Sequence, residues 1–218
     1  MTMIAQMIAR AQLPLYLFAK APIPGLVKTR MHPHLSDIQS ARLATLMLEQ
    51  SIDKVCRFWP GKLMLTVSPS IHDPLFQNFA RNNDLDLEAQ ISGDLGERMT
   101  HVMHKGIEQF GSAVVMGCDV PQITHEILVQ VHRLLAAKNN VIGPASDGGF
   151  YLLGLSQIAA GVFEGVDWGG SQVLSQVCGN FQRLGIALSR CAELRDIDNW
   201  DDLCWLGAQD QRYQGFVT

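Results

Sequence analysis

Short apolar runs alternate along the chain with longer segments in which apolar residues recur at helical spacing. The short runs are rich in branched and aromatic residues, which favours β-strands, and the longer segments favour amphipathic helices. This alternation is typical of βαβ units, so the sequence predicts a sheet of buried parallel strands with helices on both faces. Strands are predicted at 13–18, 62–67, 85–90, 113–116, 141–143 and 150–155.

Two of the predicted helices carry clear N-terminal signals. Ser36 and Gln39 form a capping-box pattern, in which each side chain can hydrogen-bond the backbone amide of the other residue, so the first helix is expected at 36–57. Asn199 is well suited to cap a last helix at 199–209. Further helices are predicted at 95–110, 124–138 and 171–181. Ligands of such sheets bind beyond the carboxyl ends of the strands, so the loops there are the places to search for chemistry.

Composition narrows the class of protein. With 218 residues, 47% of them hydrophobic, the chain can bury a large core, and we expect one domain over residues 1–218. A net charge of −4 argues against a nucleic-acid-binding surface.

No uninterrupted apolar run approaches the ~20 residues of a membrane span. Arg10 and Gln12 interrupt the apolar amino terminus, which we therefore interpret as leading into a strand rather than as a signal peptide. Five scattered cysteines without a C-x-x-C pair predict neither a zinc site nor a disulfide framework, so we expect reduced thiols in a cytoplasmic protein.

The loop after the first predicted strand, "KAPIPGLVKTR", concentrates positive charge in an acidic chain. It lacks the Gly-Lys pair of a P-loop, because Val27 precedes Lys28, and it has no G-x-G-x-x-G. Gly25 allows the backbone to approach a ligand closely, and cations can contact its oxygens. The loop therefore predicts an anion site, and the alternative is a solvated basic loop. The candidate residues of this site are Lys20, Gly25, Lys28 and Arg30.

Two aspartate motifs are candidates for metal ligands. Asp119, in "GCDVP", directly follows an apolar strand, where a carboxylate suits Mg²⁺ or Mn²⁺, which take one or two protein carboxylates while phosphates and water complete the shell. The alternative is a turn or helix cap. In "DIDNWDDL", Asp196 and Asp198 share a face of an extended stretch, and either can be a second ligand. Asp201 and Asp202 suit the first turn of the following helix instead.

Glycine-rich motifs complete the candidate site. In "SDGGF", Asp147 can orient an acceptor or take its proton, and Gly148 and Gly149 leave room for a ligand, although Asp-Gly is also a strong hairpin signal. In "GDLGERM", Gly93 and Gly96 can admit a base or a ribose, and Arg98 can pair with phosphate or lie on a helix surface. His101 and His104 are interpreted as ordinary helix residues, since a zinc site needs at least three protein ligands.

Six motifs in order carry a family resemblance: "FAKAPIPGLVKTRM", "GDLGERM", "GCDVPQIT", "GPASDGGFYLLGL", "VDWGGSQVL" and "DIDNWDDL". They resemble the bacterial family DUF2064, some of whose members are described as arsenosugar-biosynthesis glycosyltransferases. The resemblance implies the GT-A nucleotide-diphospho-sugar transferase fold, a three-layer αβα sandwich with a Rossmann-like, mostly parallel sheet. It also implies that the opening loop and the stretch from Gln90 to Arg98 bind the nucleotide, that Asp119 and Asp198 bind metal, and that residues 147–149 face the acceptor or the sugar. The chain departs from the family pattern in having Cys118 in place of Ser, and in keeping only Asp119 of the D-x-D signature.

Three functions are consistent with these residues. The first is a glycosyltransferase that uses a nucleotide-activated sugar, a small-molecule acceptor and Mg²⁺ or Mn²⁺, which offsets charge on the diphosphate leaving group. The second is a nucleotidyltransferase, similar to the guanylyltransferases of the same fold, in which an acceptor phosphate attacks a nucleoside triphosphate. The third is a nucleotide-binding protein without turnover.

Overall fold

The structure, a computed structural model, describes residues 12–217, and the interrupted apolar amino terminus up to Arg10 lies outside the described residues. Seven strands form one sheet in the order β3-β2-β1-β4-β6-β5-β7. The strands are β1 (Pro14–Lys20), β2 (Lys62–Ser68), β3 (Asp86–Ala89), β4 (Ala113–Gly117), β5 (Asn140–Pro144), β6 (Phe150–Leu155) and β7 (Leu188–Arg190). Neighbouring strands are parallel except for β6, which is antiparallel to both β4 and β5. The predicted mostly parallel sheet is confirmed.

The antiparallel strand has a simple cause. Only residues 145–149 connect β5 to β6, and a parallel connection needs a crossover of a dozen or more residues. A five-residue link therefore returns the chain beside the strand it has left. This places the loop that contains Asp147 at the same edge of the sheet as the carboxyl end of β4.

Seven α-helices lie along the described chain, together with a 3₁₀ turn at Thr29–Met31. They are α1 (Asp37–Phe58), α2 (Pro74–Asn83), α3 (Leu95–Phe110), α4 (His125–Ala136), α5 (Val173–Arg183), α6 (Trp200–Gly207) and α7 (Gln211–Gln214). The predicted caps are confirmed: the Ser36 hydroxyl accepts from the Gln39 amide, and Asn199 caps α6 through the Asp202 amide. In the first turn of α6, the Asp202 carboxylate accepts a hydrogen bond from the Asn199 amide.

Two apolar clusters cover the two faces of the sheet. One contains Leu15 and Leu17 of β1 and packs against α1, α2 and α4, whereas the other contains Tyr16 and packs against α3 and α5. Successive residues of a buried strand point to opposite faces, so β1 contributes to both clusters. The arrangement is the predicted αβα sandwich. None of the described helices is long and apolar enough to cross a membrane.

A third apolar cluster packs the segment around Ile197 and α6 against the residues that follow the basic loop. Met31 and Leu35, which follow the basic loop, pack with Ile197 and with Leu203 of α6, and all four are at most 1% exposed. Burying side chains of this size contributes roughly 1.5–3 kcal/mol each. The cluster therefore holds the stretch around residue 198 beside residues 28–30, although some 170 residues separate them in sequence.

Candidate active site

A cleft of about 330 Å³ opens at the carboxyl ends of β1 and β4. These strands are neighbours, and their register pairs Phe18 with Gly117, so the loops that follow them start side by side. Such a position beyond adjacent parallel strands is where this class of sheet binds ligands. The predicted site residues that line the cleft are Lys20, Lys28, Gln90, Asp119 and Asp198.

Lys28 lies at the centre of the charged part of the cleft. Its Nζ is 2.7 Å from Asp119 Oδ1, 3.5 Å from Asp198 Oδ1 and 2.7 Å from the carbonyl oxygen of Ile197. The other carboxylate oxygen of Asp198 accepts from Arg30 Nη1 at 2.7 Å. The Lys28 side chain is only 6% exposed, whereas those of Asp119 and Asp198 are 44% and 35% exposed. A nearly buried ammonium therefore joins two carboxylates that face the solvent.

Local backbone geometry brings these groups together. Lys28 has φ 49° and ψ 37°, a left-handed conformation that few residues other than glycine adopt, and it caps the 3₁₀ turn that carries Arg30. On the opposite side, the Ile197 amide donates to the Asp119 carbonyl at 3.0 Å. The Asp198 amide donates to Asp202 of α6. Hydrogen bonds therefore fix the backbone of both aspartates, Asp119 at a strand end and Asp198 beside a helix cap.

Burial and charge shift two pKa values in this cluster. Burial alone would lower the pKa of Lys28, but attraction to Asp119 and Asp198 outweighs it and raises the pKa above its ordinary value, so the ammonium stays charged. Burial, followed by repulsion from Asp119 and Asp147, raises the pKa of Asp196 to about 8. The buried Oδ1 of Asp196 has no hydrogen-bond partner within the described residues.

Cys118, the departure from the family pattern, lies beside this cluster. Burial raises the pKa of its thiol to about 12, so the thiol stays protonated and unreactive at neutral pH. Its carbonyl accepts from the Ser51 hydroxyl at 3.2 Å. Cys118 therefore serves as a packing residue at the base of the cleft.

Gln90 lines the cleft beyond β2 and β3, and Arg98 contacts it from outside the lining. Gln90 Nε2 donates to the carbonyls of Ala19 and Thr66 at 3.3 and 2.9 Å, and its Oε1 accepts from Arg98 Nη1 at 3.3 Å. Arg98 also donates to the Gly93 carbonyl. The amide of Gln90 is thus held rigidly at the strand ends, and Arg98 lies behind it. The glycine at position 93 has a local cause, because a Cβ there would lie 2.1 Å from the Glu97 carboxylate that completes the α3 capping box.

The remaining residues of the basic loop shape its backbone. Lys20 Nζ donates to the Leu26 carbonyl at 2.8 Å and so ties the start of the loop to its middle. Gly25 has φ +79°, and a Cβ there would lie 3.4 Å from the Asp37 carboxylate. Leu26, 55% exposed, and Leu95, 42% exposed, form an apolar rim above these charges.

Residues 145–149 form the tight turn between β5 and β6. The Asp147 carboxylate accepts from the Gly149 amide at 2.8 Å, and the Ala145 amide donates to the Gly149 carbonyl at 3.0 Å. A Cβ on Gly148 would lie 1.9 Å from the Ser171 carbonyl oxygen. The structure therefore has the hairpin that the sequence offered as the alternative for this motif, and it accounts for Gly148 by contact with Ser171.

The predicted site residues fall into three groups. The first group lines the cleft, and two arginines belong with it because they contact lining residues: Arg30 contacts Asp198, and Arg98 contacts Gln90. Gly25 and Gly93 shape the flanking loops, and residues 147–149 lie in the hairpin, outside the cleft lining. Within residues 12–217, no group of three or more histidine, cysteine or acidic side chains is arranged to hold a metal ion, and the five cysteines are free. His101 and His104 lie on α3, as predicted.

A model of the bacterial family DUF2064, described as uncharacterised proteins conserved in bacteria, matches residues 51–170. The chain belongs to this family. The matched region contains Asp119, Gln90 and the hairpin of residues 147–149, whereas the basic loop and Asp198 lie on either side of it. A search of the curated proteins finds no match.

Solved structures place this DUF2064 protein among the nucleotide-diphospho-sugar transferase folds. A candidate nucleotide-diphospho-sugar transferase from Desulfovibrio desulfuricans G20 is 28% identical, with a TM-score of 0.79 over 88% of this chain and 85% of that chain. Glucosyl-3-phosphoglycerate synthase from Mycobacterium tuberculosis, solved with Mn²⁺, uridine diphosphate and glucosyl-3-phosphoglycerate, is 13% identical, with a TM-score of 0.54 over 100% and 83%. The 4-diphosphocytidyl-2C-methyl-D-erythritol synthase from Anaerococcus prevotii is 12% identical, with a TM-score of 0.58 over 95% and 99%. The last two show the fold alone.

Proposed function

We propose that this DUF2064 protein is a glycosyltransferase that moves a sugar from a nucleotide-diphospho-sugar to a small-molecule acceptor with the help of Mg²⁺ or Mn²⁺. The observation that carries the proposal is the convergence of Lys28, Asp119 and Asp198 at one end of the cleft. They come from three loops that are distant in sequence, and together they provide a cation and hard oxygen ligands at the carboxyl edge of the sheet. The cation can offset the charge of a diphosphate directly, and the carboxylates can hold a divalent ion that does the same.

The donor is expected to bind with its phosphates at the charged end of the cleft. Lys28 and Arg30 are the cations nearest the two carboxylates, and an arginine can grip phosphate oxygens with two parallel hydrogen bonds. The Ala19 and Thr66 carbonyls occupy both N–H donors of the Gln90 amide, so its Oε1 can accept a further hydrogen bond from an uncharged ring. Leu26 and Leu95 offer such a ring an apolar surface. The cleft is therefore suited to a ligand with one anionic end and one ring-shaped end.

The residues present fit a divalent cation. Asp119 Oδ1 and Asp198 Oδ1 lie within 3.5 Å of a single positive centre, the Lys28 ammonium, so their oxygens already surround one cation. Mg²⁺ is usually held by one or two carboxylates, with phosphates and waters completing its shell, so two aspartates suffice. When bound, the ion would offset the charge that develops on the leaving diphosphate.

Asp147 is proposed to act on the acceptor. Its side chain is exposed, and it lies close enough to the cluster to contribute to the raised pKa of Asp196. Its Oδ1 accepts from the Gly149 amide, so the turn fixes the carboxylate while its second oxygen is free to accept a hydroxyl proton. The hairpin therefore works as a support for a general base.

Sugar transfer is preferred over nucleotidyl transfer because of the Desulfovibrio desulfuricans protein. It is the 28% identical chain, and it is described as a nucleotide-diphospho-sugar transferase, whereas the 4-diphosphocytidyl-2C-methyl-D-erythritol synthase is 12% identical. The alternative products distinguish the reactions, since sugar transfer releases a nucleoside diphosphate and nucleotidyl transfer releases pyrophosphate. Incubation with donors and phosphorylated or hydroxylated acceptors, read by mass spectrometry, decides between them.

The test of the proposal is a ligand panel read by thermal shift. Nucleotide sugars and nucleoside triphosphates are added with and without Mn²⁺, and a ligand that binds only the folded protein raises its melting temperature. In the absence of Mn²⁺, where phosphate contacts depend on the protein's own cations, the Lys28→Ala/Arg30→Ala variant is expected to lose the nucleotide-dependent shift. A Lys62→Ala/Arg183→Ala variant removes the same two charge types from surface ion pairs outside the cleft and serves as the matched control. Equal shifts in both variants would contradict the proposal, as would the absence of any nucleotide shift in the wild type.

A further inference from the structure

The Lys28 ammonium has no hydrogen to spare for a ligand. It carries three N–H donors, and three oxygens surround it, from Asp119, Asp198 and the Ile197 carbonyl. Its side chain is also 6% exposed, so ligand atoms have little access to it where it lies. A phosphate can therefore accept a hydrogen bond from Lys28 only if the ammonium first gives up its bond to one of the carboxylates.

The negative charges of the two carboxylates are likewise already balanced by nearby cations. Asp119 and Asp198 both face Lys28, and Arg30 holds the second oxygen of Asp198 at 2.7 Å. The two oxygens that converge on one point and could share a divalent ion, Asp119 Oδ1 and Asp198 Oδ1, are those that now bind the ammonium. Two positive centres a few ångströms apart repel each other strongly in a partly buried site, so the ion and the ammonium exclude each other there.

The backbone around Lys28 also favours its inward position. Its left-handed conformation is unfavourable for a residue with a Cβ, and such a conformation persists only where the surrounding contacts enforce it. The contacts that stabilise this backbone conformation are those of the Lys28 Nζ with the two aspartates and with the Ile197 carbonyl. The loop geometry and the ion pairs thus support a single arrangement.

From these contacts we propose that Lys28 is an internal counter-cation that competes with the divalent metal ion for Asp119 and Asp198. The inference deepens the proposed function, on which it rests for the identity of the metal ligands. Lys28 keeps the two carboxylates neutralised in the free protein, and metal ions alone bind weakly because they must displace an ammonium held by three oxygens. Removing the ammonium therefore strengthens metal binding, which is the opposite of what a purely supportive lysine would do.

The experiment measures Mn²⁺ binding to the purified full chain without any nucleotide, by electron paramagnetic resonance of the free ion. Lys28→Met, which keeps an unbranched apolar side chain one atom shorter and removes the charge, is expected to bind Mn²⁺ at least about tenfold more tightly than the wild type. Lys20→Met, which removes a charge from the same cleft but not from the carboxylates, is expected to change the affinity less than about twofold. Adding Asp198→Asn to Lys28→Met is expected to abolish the gain.

Unchanged or weaker Mn²⁺ binding in Lys28→Met would overturn the proposal, and so would a gain that survives Asp198→Asn. If Lys28→Met does not fold, Lys28→Gln replaces it, because its amide can still donate to the Ile197 carbonyl, and the same outcomes apply. The assay contains neither donor nor acceptor. A protein that fails to transfer sugar can therefore still show the gain, and an active transferase can lack it, so failure of this proposal is distinguishable from failure of the proposed function.

Discussion

Replacing Gly148 with alanine tests whether the glycine of the β5–β6 hairpin serves the fold or a ligand. Gly148 has φ +90°, and an added Cβ would lie 1.9 Å from the carbonyl oxygen of Ser171. The Gly148 carbonyl also accepts from the Leu174 amide at 2.8 Å, which joins the hairpin to the first turn of α5. The methyl group would therefore push two backbones apart and strain this bond. Gly165→Ala is a matched control, because Gly165 has φ +67° but nothing within 4 Å of its Cβ site.

The magnitude follows from separating these contributions. A left-handed alanine costs ~1–2 kcal/mol, and the lower entropy of the unfolded alanine chain returns ~0.4–1 kcal/mol, so Gly165→Ala should destabilise by about 1 kcal/mol. At Gly148 the overpacking adds ~1–3 kcal/mol, and the weakened hydrogen bond adds ~0.5–1.5 kcal/mol. The expected total for Gly148→Ala is therefore about 4 kcal/mol.

Thermal denaturation of the ligand-free protein measures the difference. For a chain of this length, 1 kcal/mol corresponds to ~2–4 °C, so Gly148→Ala should melt about 10 °C lower than the wild type and Gly165→Ala about 3 °C lower. Equal shifts in the two variants would refute the packing argument. A stable Gly148→Ala variant that loses only acceptor turnover would instead assign the glycine to the ligand.

Three further substitutions test other parts of the structure. In metal-free buffer, Asp196→Asn should raise the melting temperature more at pH 8 than at pH 5. The folded-state pKa of Asp196, about 8, lies above the ordinary aspartate value, so wild-type stability falls as the pH rises between the two values; a constant difference would contradict this. Asp94→Ala removes the α3 cap and should cost ~1 kcal/mol in urea unfolding, whereas Asp53→Ala, at an exposed position inside α1, should cost less. Phe76→Ala should cost ~3–5 kcal/mol, because Phe76 is the fully buried side chain of α2, and a loss below about 1 kcal/mol would show that α2 does not pack into the core.

The fold was largely predictable because long periodic segments carry their own signals. The helices beginning after Ser36 and Asn199 were predicted from cap residues, and the structure has both caps. The elements that the sequence analysis missed are α2, which has ten residues but one fully buried side chain, and two short elements, β7 with three residues and α7 with four. Tertiary contacts, such as the pairing of β7 with β5, define these elements, so local periodicity cannot reveal them.

The site was predictable as a set of loops but not as a set of contacts. Strand ends indicated where Lys28, Asp119 and Asp198 would gather, since neighbouring parallel strands end at one edge. The sequence could not indicate that Asp198 meets Lys28, because the apolar contacts of Ile197 with α1 and the opening loop determine that approach. Nor could it distinguish a glycine beside a ligand from a glycine beside Ser171, because both require the same small residue.

The competition at Lys28 has a consequence for the order of binding. A phosphate that takes over the ammonium frees the oxygens of Asp119 and Asp198, and these oxygens then favour a divalent ion. Coupling between two ligands is reciprocal in free energy, so the ion must strengthen phosphate binding by the same factor by which phosphate strengthens ion binding. On the proposed function, donor and metal therefore bind together, and the cleft gains its full charge complement only when both are present.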